Sequence, residues 1–298
     1  MTLSLKGIWS PMPTPFAKDG EVDYPRLKQL VDRLVEGGVD GLFPLGTTGE
    51  FFLLTKEERK RVVEAVVERA NGRVPVLAGV CDPAPRNVAA YAEDARDAGA
   101  DGVVATPPYY YTTTDDGLYA HFRAIQESVS LPLVLYNIPE WTHNFVPVGV
   151  VSRLAEEKRI VGMKYTEYNM LNLSKFVEAV GGMIGVLTGS DAMTYACLEL
   201  GGSGAVISIS DVFPSEASSI YDLAVAGKHE EARKVQRRLL PAIEAVGMGK
   251  FPAGLKEAMR VVGFPVGEVR TPLQPLQPHE KESVRRLVSK TGSGDRET

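Results

Sequence analysis

Arg159-Ile160-Val161-Gly162-Met163-Lys164 carries four apolar or small residues straight into a lysine. The β-branched pair Ile160-Val161 in so short a run reads as a strand buried on both faces. A lysine at the C-terminal end of such a strand stands half out of a core with little water around it. Desolvation disfavours an ammonium, and this is how a lysine becomes a nucleophilic amine at neutral pH. Taken alone, the stretch fits better a lysine that snorkels to solvent. Its surroundings decide.

The same kind of run recurs through the chain. Apolar strands are predicted at 7–13, 41–45, 75–80, 102–106, 132–136, 160–164, 184–188 and 204–208. Helical patterns follow them at 23–36, 55–70, 87–98, 115–128, 147–156, 172–180, 191–200 and 214–226. Leu27, Leu30, Val31 and Leu34 share one helix face. Thr55-Lys56-Glu57-Glu58 is a capping box, and Pro147 suits a first helical position, where its missing N–H does no harm. The strands are apolar throughout rather than alternating, as parallel strands covered on both faces should be. Eight strand–helix units at crossover spacing imply an α/β fold, a closed (β/α)8 TIM barrel spanning 1–226. No GxGxxG follows the first strand, which argues against a dinucleotide-binding sheet. Beyond 226 the pattern is helical, giving a C-terminal appendage over 227–290 that extends the barrel and is not a second functional domain. The polar stretch 291–298 is expected to be a disordered tail.

The chain has 298 residues, 44% hydrophobic and 24% charged, the make-up of a soluble globular protein. A net charge of −5, with both signs interspersed, gives no footing for nucleic-acid binding. Two cysteines, Cys81 and Cys197, form no CxxC pair, so a disulfide framework is not expected and a reducing compartment fits. Residues 1–6 lack the apolar core of a signal peptide, and no run approaches membrane-spanning length. A cytoplasmic protein without a membrane partner is the expectation. The four histidines are scattered, so no catalytic metal is expected.

In a (β/α)8 barrel the active site lies at the C-terminal ends of the strands. That rule gathers Thr47 and Thr48, the run Tyr109-Tyr110-Tyr111, Tyr136-Asn137, Lys164, Gly189-Ser190-Asp191 and Ser208 at one mouth. Together they suggest carbonyl chemistry. A lysine condenses with a ketone to an imine, whose protonated form is an electron sink for the adjacent C–C bond. A tyrosine shuttles protons. Threonine hydroxyls and the turn N–H groups of Gly46 to Gly49 can hold a carboxylate. Each residue also has a purely structural reading. Gly46-Thr47-Thr48-Gly49 fits a tight turn, the tyrosine run a hydrophobic plug, Ser190 or Asp191 a helix cap, and Tyr136 inert packing.

The set Gly46-Thr47-Thr48-Gly49-Glu50, Pro108-Tyr109-Tyr110, Tyr136-Asn137-Ile138-Pro139, Gly162-Met163-Lys164 and Gly189-Ser190-Asp191 resembles the Schiff-base aldolases. This is the family of dihydrodipicolinate synthase, N-acetylneuraminate lyase and 2-keto-3-deoxygluconate aldolase. The resemblance runs from Gly7 to about residue 290. It implies that Lys164 forms the imine with pyruvate or a 2-oxo acid, and that Tyr136 is the general acid/base. Thr47 and Thr48 would bind the carboxylate and relay protons, beside Gly46. Tyr110 would reach into a neighbouring subunit's site, and the carbonyl of Val206 would face substrate. A homotetramer (a dimer of dimers) needing no metal or organic cofactor is implied.

Departures bear on the second substrate. Dihydrodipicolinate synthases typically carry an arginine five residues after the strand tyrosine, where this chain has Trp141, which cannot form a bidentate ion pair. Lys164-Tyr165-Thr166 replaces a Lys-Glu-Ala pattern, and in this the chain resembles the sugar-acid aldolases, a likeness that implies that Thr166 faces substrate hydroxyls. Glu50 is followed by Phe51-Phe52. Gly189 and Asp191 complete the expected substrate contacts. The resulting expectation is a class I lyase cleaving or forming a 2-keto-3-deoxy sugar acid. The alternative is a dihydrodipicolinate synthase joining pyruvate to aspartate semialdehyde. Behind these stand a sugar-acid dehydratase and a barrel that binds an oxo acid without turnover.

Overall fold

The computed structural model describes residues 3–292. In chain order the barrel comprises β1 (Gly7–Ser10), α1 (Tyr24–Glu36), β2 (Gly41–Leu42), α2 (Lys56–Ala70), β3 (Leu77–Gly79), α3 (Pro85–Asp97), β4 (Gly102–Ala105) and α4 (Asp115–Ser128). It continues with β5 (Leu133–Asn137), α5 (Pro139–Thr142), α6 (Val148–Glu156), β6 (Gly162–Tyr165), α7 (Met170–Val180), β7 (Gly185–Thr188) and α8 (Thr194–Glu199). β8 (Gly204–Val206), α9 (Ile209–Val212) and α10 (Pro214–Val225) complete it, and α11 (His229–Val246), α12 (Ala253–Val261) and α13 (Pro278–Gly292) form the extension. Short 3-10 turns lie at Phe51–Leu53 and Asp191–Met193.

The strands form one parallel eight-stranded sheet in the order β2-β1-β8-β7-β6-β5-β4-β3. The ring closes between β2 and β3 through a parallel bridge from Leu42 to Val76, with Gly79 N–H donating to Pro44 C=O at 3.0 Å. Successive side chains on a strand point to opposite faces. Ile8, Leu42, Val103, Leu135, Met163, Tyr165 and Val186 therefore pack outward, in the core under the helices. Trp9, Phe43, Leu77, Val104, Val134, Tyr136, Leu187 and Val206 fill the barrel interior. Lys164 lies between the outward Met163 and Tyr165, and so it points inward. Register sets it opposite Tyr136 on β5 and Leu187 on β7.

The helices bury the stripes the sequence marks. In α1, Leu27, Leu30, Val31 and Leu34 are buried, and the Asp23 carboxylate caps the Arg26 N–H. Both arms of the capping box form at α2: Glu58 N–H donates to Thr55 Oγ1 at 3.2 Å, and Thr55 N–H to Glu58 Oε2 at 2.8 Å.

Several element bounds differ from the sequence expectation. β2 stops at Leu42, because Pro44 has no N–H to add to the ladder and Leu45 takes φ 62°. β6 runs one residue past Lys164, since Tyr165 still pairs with Thr188 and Asn137. The helix expected at 191–200 divides into the 3-10 turn and α8, while α5 and α9 are too short to show a helical period. Pro147 is the N-cap of α6 rather than its first residue. Thr291 and Gly292, expected in a disordered tail, end α13 instead, and the rest of that expected tail, 293–298, lies outside the described residues. Among the described residues no helix is long and apolar enough to cross a membrane.

Candidate active site

At the C-terminal mouth of the barrel a cavity of about 310 Å³ opens around Lys164. The side chain of Lys164 is buried, and its Nζ lies 4.2 Å from the centroid of the Tyr136 ring and 5.3 Å from that of Phe43. Strand register alone brings Tyr136 there, because β5 and β6 place the two residues directly across from each other. The Tyr136 hydroxyl is 3.5 Å from Thr47 Oγ1. Thr48 Oγ1 is in turn 3.5 Å from Ser208 Oγ, so two hydroxyls that follow β2 and β8, the two neighbours of β1, approach one another.

Thr47 and Thr48 sit on a tight turn held by Gly49 N–H donating to Gly46 C=O at 3.0 Å and Glu50 N–H to Thr47 C=O at 3.1 Å. The Thr14 hydroxyl donates to Gly49 C=O at 2.6 Å. Gly46 itself is not in the cavity lining; a Cβ there would meet the Phe43 ring at 2.9 Å, so its role is to let the turn pass over that ring.

Gly189 lines the cavity beside the lysine. A Cβ at this position would collide with Thr166 Oγ1 and lie 2.7 Å from Lys164 Cε. Thr166 Oγ1 is buried without a hydrogen-bond partner and faces this same corner, leaving a hydroxyl for a ligand to satisfy. Asp191 also lines the cavity, and its Oδ1 accepts from Ile209 N–H at 2.6 Å. The carboxyl that sequence reading left between cap and ligand is thus committed to the start of α9. Burial pushes it up to about 6, against the pull of the Ile209 N–H and of Lys164.

Below this corner Ser10 on β1 donates to Asp211 Oδ1 on α9 at 2.6 Å. Asp211 is fully buried, and burial pushes its carboxyl up to about 8, with Asp191 adding to the rise.

The outer part of the lining comes from elsewhere. Trp141 on α5 stands edge-on to Phe251, with ring centroids 6.1 Å apart, and Ile243, Val246 and Gly247 of the α11 end form the adjoining wall. Glu140, Glu167 and Tyr168 complete the rim. Glu167 is fixed by the Tyr165 hydroxyl, and its backbone carbonyl accepts from Ser190 Oγ at 3.2 Å.

Of the residues expected at the site, Lys164, Tyr136, Thr47, Thr48, Val206, Thr166, Trp141, Gly189 and Asp191 share this one cavity. Tyr110 does not. It is 80% exposed, packs edge-on against Tyr111, and holds φ 82°, a backbone region costly for a bulky residue. The wall from the extension escaped the sequence reading. Its signal is the α11 stripe of Leu239, Ile243 and Val246, which marks a buried face without saying which end of the barrel the face meets.

A model of the dihydrodipicolinate synthetase family matches residues 4–291. A 4-hydroxy-tetrahydrodipicolinate synthase of Methanococcus maripaludis strain C6 is 35% identical over 289 residues, covering 97% of this chain and 99% of that protein. One from Geotalea daltonii is 38% identical over 280 residues, covering 94% and 96%. Among solved structures, dihydrodipicolinate synthase from Aquifex aeolicus superposes with a TM-score of 0.93 at 32% identity, over 97% of this chain and 98% of that one. YagE, a prophage protein of the same family from E. coli K12 in complex with pyruvate, gives a TM-score of 0.93 at 32% identity, over 97% and 99%.

Proposed function

The chain belongs to the dihydrodipicolinate synthetase family, and on that premise we propose that it joins pyruvate to a short aldehyde through an imine on Lys164. It is a Schiff-base-forming carbon–carbon lyase, and a barrel that only binds an oxo acid loses its support. The observation that carries the residue assignment is the buried Lys164 Nζ lying 4.2 Å from the Tyr136 ring at the floor of the cavity. In this reading the amine adds to C2 of pyruvate and water leaves, giving a protonated imine. Loss of a C3 proton makes an enamine, whose carbon attacks the aldehyde carbon while the aldehyde oxygen gains a proton. Water then returns to C2 and frees the lysine. The Tyr136 hydroxyl, 3.5 Å from Thr47, is the group placed to carry these protons. Thr48 and Ser208 hold the pyruvate carboxylate by hydroxyls rather than by a cation.

For the aldehyde, the relatives' names favour aspartate semialdehyde, whose own amine would then attack C2 in place of water and expel the lysine, closing the ring of 4-hydroxy-tetrahydrodipicolinate. The sugar-acid reading moves to second place, and specific observations keep it there. Trp141 offers no charge to the semialdehyde carboxylate. The lining carries the carboxyl groups of Glu140, Glu167 and Asp191 against Lys164 as its cation. The unpartnered Thr166 hydroxyl suits a neutral, hydroxylated aldehyde.

Borohydride reduction with pyruvate should add a mass that maps to Lys164 and that Lys164→Met abolishes. No adduct on the folded enzyme would sink the imine assignment. With the adduct in hand, condensation of pyruvate with the semialdehyde is compared with cleavage of 2-keto-3-deoxygluconate. Turnover of the sugar acid alone installs the second reading, and water loss without C–C cleavage points to a dehydratase. The exposed, strained Tyr110 supports a homotetramer in which it enters a neighbour's site, and the unpaired thiols of Cys81 and Cys197 support a cytoplasmic home.

A further inference from the structure

Behind the catalytic turn lies an ion pair that the imine chemistry does not use. Lys256 Nζ on α12 is 2.7 Å from Glu50 Oε1, and both side chains are fully buried. The same nitrogen donates to Thr14 C=O at 2.9 Å and to Glu268 C=O at 3.1 Å. The other Glu50 oxygen accepts the Arg270 N–H at 2.8 Å. Glu50 directly follows Thr47-Thr48-Gly49 and holds φ 53°, a left-handed conformation that a glutamate adopts only when its surroundings insist. Thr14, whose carbonyl takes the lysine, gives its own hydroxyl to Gly49 C=O at 2.6 Å. Two routes therefore lead from one lysine to the turn: through Glu50, and through Thr14 to Gly49.

Stability alone is a weak reason for such a pair. Burying two charges costs about as much as their attraction returns, and a well-packed apolar pair often does as well. What a buried pair does supply is a unique geometry, because neither charge tolerates being left alone. Here the geometry it sets is that of the turn bearing Thr47 and Thr48. Arg270 widens the clamp: its guanidinium reaches Leu53 C=O at 2.9 Å and Gly20 C=O at 2.7 Å, and it forms an ion pair with Glu58 at 2.6 Å.

We propose that Lys256 is a positioning residue for catalysis: through Glu50 and Thr14 it holds the 46–50 turn so that Thr47 and Thr48 meet Tyr136 and Ser208, making the C-terminal extension part of the pyruvate site. This rests on the imine chemistry proposed above. Lys256 touches no substrate, and its effect passes through backbone placement.

The test compares Lys256→Met with the double variant Glu50→Gln/Lys256→Met. The double variant keeps an acceptor for the Arg270 N–H and leaves no lone buried charge, so it folds even where the single variant does not. Leu154→Ala, a cavity under α6, which packs on α4 and α7 and lines no part of the site, serves as a control of matched loss in Tm. Two quantities are read: amide hydrogen exchange of the 46–50 segment, and KM for pyruvate with the rate of borohydride trapping. The expected result is faster exchange and a KM raised about 10–100-fold in the double variant, with both unchanged in Leu154→Ala. An unchanged KM in the folded double variant overturns the proposal. If the wild-type enzyme fails to trap pyruvate, the imine reading has failed, and exchange at 46–50 alone decides the clamp: faster supports it, unchanged overturns it.

Discussion

The two ends of the cavity are built by different means. The inner end stands on strand termini: Lys164, Tyr136, Thr47 and Thr48 are all buried, and sheet register or a hydrogen-bonded turn holds each of them. The outer end is assembled from α5, the loop after β6 and the end of α11, and there Trp141 is 40% exposed and Tyr168 75%. Groups that must meet a reacting bond within a fraction of an ångström belong on rigid elements, whereas groups that choose a partner need only shape and polarity. The difference teaches that, on the proposed function, pyruvate chemistry and aldehyde choice can change independently in this barrel.

The largest effect that sharpens the contrast is at Tyr136. Tyr136→Phe should keep the packing against Phe43 and Lys164 while removing the proposed proton carrier, lowering kcat by about 10²–10⁴. Steady-state rates with pyruvate and the aldehyde check this. A loss confined to KM would mean that Tyr136 only packs.

At the outer end, Trp141→Ala should leave borohydride trapping of pyruvate on Lys164 unaltered and shift KM for the aldehyde by about tenfold. Equal losses in trapping and in aldehyde KM would break the division between the two ends.

An effect on stability rather than on turnover concerns what lies beneath the inner end. A carboxyl near 4 when exposed is pushed by burial to about 8 at Asp211. From about pH 4 to about 8 the unfolded chain therefore gives up a proton that the folded chain keeps. Stability falls as pH rises across that window and levels off above it. Asp211→Asn, which still accepts from Ser10, should flatten the fall, leaving the shallower contribution of Asp191 up to about 6. Calorimetry at pH 5, 7 and 9 should show the variant gaining Tm relative to wild type as pH rises. Parallel curves would show that Asp211 ionises in the folded protein as it does in the unfolded one.

Much of this was legible in the residues because it is set by local periodicity. Apolar runs at regular spacing specify eight parallel strands, and the inward or outward sense of a residue follows from counting by two. Lys164 faces the interior for the same reason that Met163 and Tyr165 do not. The motif residues Thr47, Thr48, Tyr136 and Gly189 could be placed at one mouth without coordinates, since parallel crossovers bring all strand ends to the same side.

What the tertiary structure decided depends on contacts between distant parts of the chain. Asp191 and Ile209 meet because β7 and β8 are neighbours, and their hydrogen bond commits a carboxyl that its own sequence left open between cap and ligand. Tyr110 is exposed and lines no part of the cavity of its own chain. The α11 stripe and the lone lysine of α12 carry no local mark of the site they border, yet they supply its outer wall and the buried partner of Glu50. Periodicity determines which face of an element is buried. Only the packing of whole elements decides what that face is buried against.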